Sequence, residues 1–451
     1  MYTNLEYQKR KTRGAIVWIA AIALIFSAFS PIFSATDQPM NSSEKMQTEK
    51  NLFNIVAIGD SLAVGYEKGF TDQSKPFGVG EQLHEQALFQ GYRASYTNFG
   101  ILGLTSDGLL RWLTTAQQGK TISAADLQAG LKDPRVDTLL ANTSQFKQQL
   151  ASANLIVLAI GGNDFLQILT KLDLDKPWSS WSETEREQLQ ADIAETTAQY
   201  ESKLSSILSI IHELNANAVV VTQNQYLPLP KLNFNGTEGY IGVDSNLAKL
   251  LLEARAEINR KFDEVVSTYE GKGMSIQYID AASVIESNSL GLTAIASGDI
   301  HPNAAGYKKL SEQYSKLIWG EHRQVQERRE GIPLSVVVNG KEVISQYPTK
   351  LINGRTYLVL SDITKAIGAG LSWSNKTETA TITIGERVVE LKIGSNTYKV
   401  NGQTYKLNAE PAFLAKVNHE SKTYVPVAAL TEGLGLFTEY FAQTKTVFVN
   451  K

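Results

Sequence analysis

Leu155 to Ile160 is an unbroken apolar run, LIVLAI, and Gly161-Gly162-Asn163-Asp164 follows it at once. Few local patterns constrain a fold more. A run this short and this apolar has no polar face, so it must be covered on both sides, as a parallel strand inside an α/β sheet is. Phe53 to Ile58 (FNIVAI), Ala218 to Thr222 (AVVVT) and Ser275 to Ile279 (SIQYI) repeat the pattern, and a weaker strand is read over Arg93 to Asn98. Between these runs, apolar residues recur three and four apart over Glu185 to Leu214 and Asn246 to Tyr269, as at Leu204, Ile207, Leu208 and Ile211. The alternation predicts a three-layer α/β sandwich with a parallel sheet, and such sheets bind ligands at the carboxyl ends of their strands.

The polar residues at those ends are the candidates for chemistry. Gly59-Asp60-Ser61-Leu62 follows the first strand, Asn98-Phe99-Gly100 with Gly103 and Thr105 follows the second, and Asn163 follows LIVLAI. Asp299-Ile300-His301-Pro302-Asn303 lies beyond the last strand, ahead of a helix running from Ala304 towards Trp319. Taken singly each has a bland reading: a helix-capping serine, a glycine turn, an Asx turn. Composition narrows the chemistry. The chain has no cysteine, which excludes disulfides, thiolate zinc sites, iron–sulfur clusters and cysteine nucleophiles. Lys+Arg 43 against Asp+Glu 46, a net charge of −3, argues against a nucleic-acid partner. Hydroxyl, imidazole and carboxylate groups remain.

Together those groups make up an acyl-transfer site. A neutral hydroxyl needs a base to take its proton, and the oxyanion that follows needs preorganised donors. Ser61 and His301 supply the first pair; Ser61 N–H, Gly100 N–H and the Asn163 amide supply the donors. His84 and His212 fall in predicted helices, His322 in a charged run and His419 near the C-terminus, so His301 is the one histidine in a suitable turn. The ordered blocks over residues 52–320 resemble the SGNH, or GDSL, family of serine esterases. That resemblance implies a flavodoxin-like fold with Ser61 as nucleophile, His301 as base, and Gly100 and Asn163 as oxyanion donors. It also implies that no cofactor and no metal is needed. One position departs from the pattern: the family's orienting aspartate stands three residues before the histidine, where this chain has Gly298. Three readings follow: Asp299 orients His301, a backbone carbonyl does so, or the site is a Ser–His dyad. The departure predicts that Asp299→Ala lowers the rate far less than Ser61→Ala or His301→Ala.

The two ends of the chain are of another kind. Lys9, Arg10, Lys11 and Arg13 precede an apolar run from Ala15 to Phe29, so residues 1–35 read as a secretory signal or an uncleaved membrane anchor, and 36–51 as a polar spacer. Either reading puts the remainder outside the cytoplasm, on the cell surface or in the medium, in a cysteine-free style common among Gram-positive bacteria. The run EHRQVQERRE opens a charged linker over 321–333. Beyond it the chain repeats itself: Thr356-Tyr357-Leu358-Val359 matches Thr423-Tyr424-Val425-Pro426 at an offset of 67, and Val338-Asn339-Gly340 matches Val400-Asn401-Gly402 at an offset of 62. Asn-Gly between β-rich runs signals hairpins, so 334–451 reads as an α+β duplication. With Asn353-Gly354-Arg355-Thr356-Tyr357, it resembles the copper amine oxidase N-terminal-like stalk domain, which implies attachment to a cell-wall or surface polymer. A single histidine, His419, makes copper binding improbable despite the family name.

The expectation is therefore a secreted or membrane-tethered hydrolase of carboxylic esters, of lipid, lysophospholipid or acetylated-sugar type. A non-catalytic surface-binding protein, its site decayed at Gly298, and an envelope polysaccharide acyltransferase are the alternatives. The segment from Lys171 to Glu187, with Trp178 and Trp181, reads as an apolar lid or a packed surface loop. Gln223 to Pro230 reads as an opposite wall or another such loop.

Overall fold

The computed structural model describes residues 52–173, 176–234, 237–417 and 419–451. The expected leader and spacer, over 1–51, lie outside the described residues. Among the described residues no helix is long and apolar enough to cross a membrane.

The N-terminal sheet consists of β1 (Phe53–Gly59), β2 (Ala94–Gly100), β3 (Leu155–Ala159), β4 (Val219–Gln223) and β5 (Ile276–Ile279). Every pairing is parallel and the order is β2-β1-β3-β4-β5, the flavodoxin-like arrangement. The weak strand over 93–98 is real and runs on to Gly100. Period-two alternation divides each strand between two cores. Val56 and Ile58 of β1, with Ile156 and Leu158 of β3, face helices α3 (Ser106–Gln117), α4 (Thr143–Ser152), α6 (Glu183–Leu214) and α7 (Ser245–Gly271). Ile55, Ala57 and Val157 face α2 (Val79–Phe89), α8 (Ala281–Glu286) and α9 (Ala304–Trp319) on the other side. Both faces are covered, which is why these strands carry no polar stripe. Helix α6 begins two residues before the predicted start because Ser182 and Glu185 form a capping box.

The C-terminal region is a separate β-rich domain. Strands Arg355–Val359 and Glu420–Pro426, the two copies of the repeat, pair antiparallel, and each is followed by a short helix, Leu360–Ile367 and Val427–Gly433. Asn339-Gly340, Asn353-Gly354 and Asn401-Gly402 all have positive φ, as tight hairpin turns require.

This domain shares a core with the first. Phe448 and Phe441 sit edge-on against Phe89 and His84 of α2, at 4.8 and 5.2 Å between ring centroids. The buried Asn450 amide donates to the carbonyls of Leu88 (3.0 Å) and Tyr92 (2.7 Å). The charged run 321–333 is pinned at the same place: Arg323 donates to the carbonyls of Phe89 (2.8 Å) and Gly340 (3.2 Å), one in each domain.

Candidate active site

The site forms where β1 and β3 run side by side while their connections leave to opposite faces, the switch point at which such sheets open a crevice. Gly59 makes the approach possible. A side chain there would put its Cβ 1.8 Å from the Ala159 carbonyl oxygen, at a φ of +129°. Asp60 N–H then donates to Ala159 O at 2.9 Å, and the Asp60 carboxylate caps helix α1 (Ser61–Val64) by accepting from Leu62 N at 2.9 Å. Ser61 thus begins a helix, where a backbone N–H has no partner within the helix. Burial pushes the Asp60 carboxyl up to about 7; the Leu62 N–H opposes this and the charge of Asp164 adds to it.

Ser61 Oγ lies 2.7 Å from His301 Nε2, although 240 residues separate them. Asp299 Oδ1 lies 2.5 Å from His301 Nδ1 and also accepts the His301 backbone N–H at 3.0 Å. An ionised carboxylate only accepts, so Nδ1 carries the ring proton and Nε2 is left to accept from the serine hydroxyl. Burial raises the Asp299 carboxyl, but the His301 N–H, the His301 ring and the Tyr66 phenol outweigh it and hold the group below its usual range. The Tyr66 ring stands edge-on to the His301 ring at 4.5 Å. The loop that carries both residues is closed on itself by Ala294 N–H donating to His301 O at 3.0 Å, and Lys68 Nζ holds Ser297 O at 3.0 Å. Of the three candidate orienting groups, the Asp299 carboxylate is the one that lies on His301 Nδ1 among the described residues.

The expected oxyanion donors divide. Asn163, in helix α5 (Gly162–Leu169), donates one Nδ2 hydrogen to Leu104 O at 2.9 Å and faces the cavity, leaving the second hydrogen for a ligand. Gly100 has to be corrected. Its N–H donates to the Asn98 side-chain oxygen at 2.9 Å, and it is buried away from the cavity. What requires glycine there is packing: a Cβ would come within 2.6 Å of Val64 N. Gly103 is the other glycine of that segment. It is exposed in the turn beside Leu104, has φ +79°, and its N–H makes no hydrogen bond to a described residue.

From Ser61 and His301 an apolar cavity of about 930 Å³, counting its open mouth, runs between α5 and α7. Phe165, Leu166 and Leu169 of α5 face Leu251 and Ile258 of α7 across it, and Gln225 to Pro228 form a further wall, as the segment 223–230 suggested. Trp178 and Trp181 do not roof the cavity. They pack with Ile168, Leu169, Leu251 and Leu227 behind the residues that line it. The cavity walls on α5 and α7 escape sequence reasoning because apolar residues at helical spacing read as core; the one signal was that α5 is apolar on more than its sheet-facing side.

A serine–histidine–aspartate constellation on a flavodoxin-like sheet defines a serine hydrolase fold class. Residues 55–314 match the family model of GDSL-like lipases and acylhydrolases, and 337–449 match that of the copper amine oxidase N-terminal domain. The chain belongs to the GDSL-like lipase/acylhydrolase family and is a carboxylic ester hydrolase. An uncharacterized protein of Bacillus subtilis (strain 168), YpmR, is 21% identical over 321 residues, 70% of this chain and 96% of its own. Among solved structures, a lipase from a goat rumen metagenome is similar at 19% identity and TM-score 0.39, covering 58% of this chain and 95% of its own. A phospholipase A1 from Streptomyces albidoflavus NA297 is similar at 17% and 0.37, covering 60% and 99%. A mutant acetyl-xylooligosaccharide esterase from Geobacillus Stearmophilus is similar at 14% and 0.36, covering 61% and 97%.

Proposed function

We propose that this chain is an exported serine hydrolase for esters of medium to long acyl chains, of lipid or lysophospholipid type, acting through an acyl-Ser61 intermediate. His301 Nε2 takes the Ser61 proton as Oγ attacks the ester carbonyl, while Asp299 holds the ring tautomer and balances the imidazolium. Ser61 N–H, the free Asn163 amide hydrogen and Gly103 N–H receive the oxyanion. The imidazolium then protonates the departing alcohol, and water, activated by His301, releases the acid.

The observation that carries the substrate class is the cavity. A deacetylase has to hold two carbons and benefits from polar walls for its sugar; this cavity opens directly on Ser61 and its walls are mainly leucine, isoleucine and phenylalanine. Burying an alkyl chain there gains about 0.8 kcal/mol per methylene. Export is supported by the basic flank and apolar run within residues 9–29. The C-terminal domain is assigned attachment to a wall or surface polymer, on the strand Gly370–Ser374, which is exposed throughout and presents Leu371 and Trp373. The test is an acyl-chain profile of the full chain with p-nitrophenyl esters from acetyl to palmitoyl, with Ser61→Ala as control. A rise in kcat/KM from acetyl to octanoyl or beyond is expected, and a maximum at acetyl refutes the lipid reading.

A further inference from the structure

A second, polar recess lies behind the apolar cavity. Its lining includes Asn224, Asp263, Asp280 and Glu286, and its volume is about 580 Å³ counting its mouth. Arg255 is the one described residue common to the linings of both spaces. Its guanidinium bonds Glu286 through Nη2–H to Oε2 at 2.6 Å, with side-chain exposures of 23% and 16%. The other oxygen of Glu286 accepts Leu227 N–H at 3.0 Å, which ties the pair to the cavity wall. Arg255 Nε is buried without a partner among the described residues. Two of its neighbours on the same face of α7, Leu251 and Ile258, are cavity-wall residues, so the apolar face of this helix is interrupted there by a charged side chain.

We infer that Arg255, latched by Glu286, is the partition that ends the acyl site and sets the longest chain it accepts; this rests on the hydrolase reading above. With the latch closed, an acyl chain from Ser61 stops at the guanidinium stem. With the side chain shortened, the cavity and the recess join, and the chain end passes through towards solvent. Arg255 is then a specificity-determining residue with no part in the bond-breaking step.

The experiment is the chain-length profile of full-length wild type, Arg255→Ala, Arg255→Lys and Arg255→Leu, with thermal unfolding to verify folding. Each methylene newly buried multiplies kcat/KM by about four. Two more methylenes in Arg255→Ala therefore raise the ratio of long-chain to octanoyl kcat/KM about fifteenfold. Arg255→Lys, which keeps the plug, retains the wild-type profile. An unchanged profile in folded Arg255→Ala, or an equal loss at every length, overturns the inference. If Arg255→Ala does not fold, Arg255→Leu carries the test, since it keeps an apolar stem and removes the guanidinium that closes the partition, and an unshifted profile there overturns it too. A wild-type protein that hydrolyses none of these esters, or does so equally well as Ser61→Ala, refutes the hydrolase reading instead.

Discussion

Asp299 is the residue whose removal separates the structure from the family pattern. Its Oδ1 sits 2.5 Å from His301 Nδ1, so the carboxylate faces the ring that becomes positive when Ser61 attacks. Two unit charges about 4 Å apart at an effective dielectric of about 20 interact by about 4 kcal/mol. The side chains are 23% and 16% exposed, and solvent screening reduces this to about 2–3 kcal/mol. Asp299→Asn removes that charge alone. Because the His301 backbone N–H donates to the same Oδ1, the amide oxygen stays in place and still accepts Nδ1–H, which preserves the tautomer. A fall in kcat of about a hundredfold is expected. Asp299→Ala also loses the orientation, and the fall should reach about 10³–10⁴. Ser61→Ala and His301→Ala, which remove the nucleophile and the base, should fall further still, but a loss of this size at Asp299 exceeds what a dyad or a carbonyl-oriented site would show. Steady-state kcat on one soluble ester, with all four variants checked for fold, is the assay. A folded Asp299→Ala within threefold of wild type would refute the assignment.

Three further outcomes follow from particular contacts. Asn163→Ala should lower kcat by about 10²–10³ with little change in KM, whereas Gly100→Ala, which forces a Cβ against Val64 N at 2.6 Å, should act through lost stability; kinetics beside a melting curve tells them apart. Phe448, fully buried against α2, links the two domains, so Phe448→Ala should cost about 3–5 kcal/mol and the full chain should melt in one transition; two well-separated transitions would show the domains to be independent. Glu85, in the same interface, accepts a hydrogen bond from Thr444, yet burial pushes its carboxyl up to about 7. A group whose folded pKa is raised costs nothing below the unfolded value and destabilises progressively as pH rises towards the folded one. Glu85→Gln should therefore match wild type in stability near pH 4 and exceed it by about 1–3 kcal/mol at pH 8, by urea unfolding. A wild type as stable as the variant at pH 8 would contradict the buried carboxyl.

How much was legible in the sequence depends on how local the cause is. The strands declared themselves through short apolar runs, and Ser61 and Asn163 through their position just after two of them, because sheet topology brings all strand ends to one edge. The 240-residue separation of Ser61 and His301 was bridged by that same rule. Gly100 misled for a physical reason: the segment offers two glycines, and sequence cannot tell which amide the Asn98 side chain has already taken. Arg255 was invisible, since a charge in an amphipathic helix reads as solvated surface until the partner on α8 is known. The joined core of the two domains was hidden as well. The charges of EHRQVQERRE suggest a free linker, yet Arg323 spends its guanidinium on carbonyls of both domains.

The aspartate shift shows how a motif can change spacing without losing its geometry. Gly298 ends a 3₁₀ turn, Ile295–Ser297, in the left-handed region at φ +78°, which an aspartate at that position would adopt only with strain. The carboxylate is carried instead by the next residue. From two positions before the histidine, an aspartate side chain can fold back on the backbone N–H of residue i+2, the Asx turn, and it does so here at 3.0 Å. That turn delivers the same oxygen to Nδ1, so one local hydrogen bond both shapes the loop and aims the carboxylate. The fit has a consequence that can be measured. Asp299→Glu, one methylene longer, cannot close the same turn, so it should lose nearly as much activity as Asp299→Ala while keeping the charge. Rescue of activity by glutamate would mean that charge alone suffices and that the Asx turn has no part in holding His301.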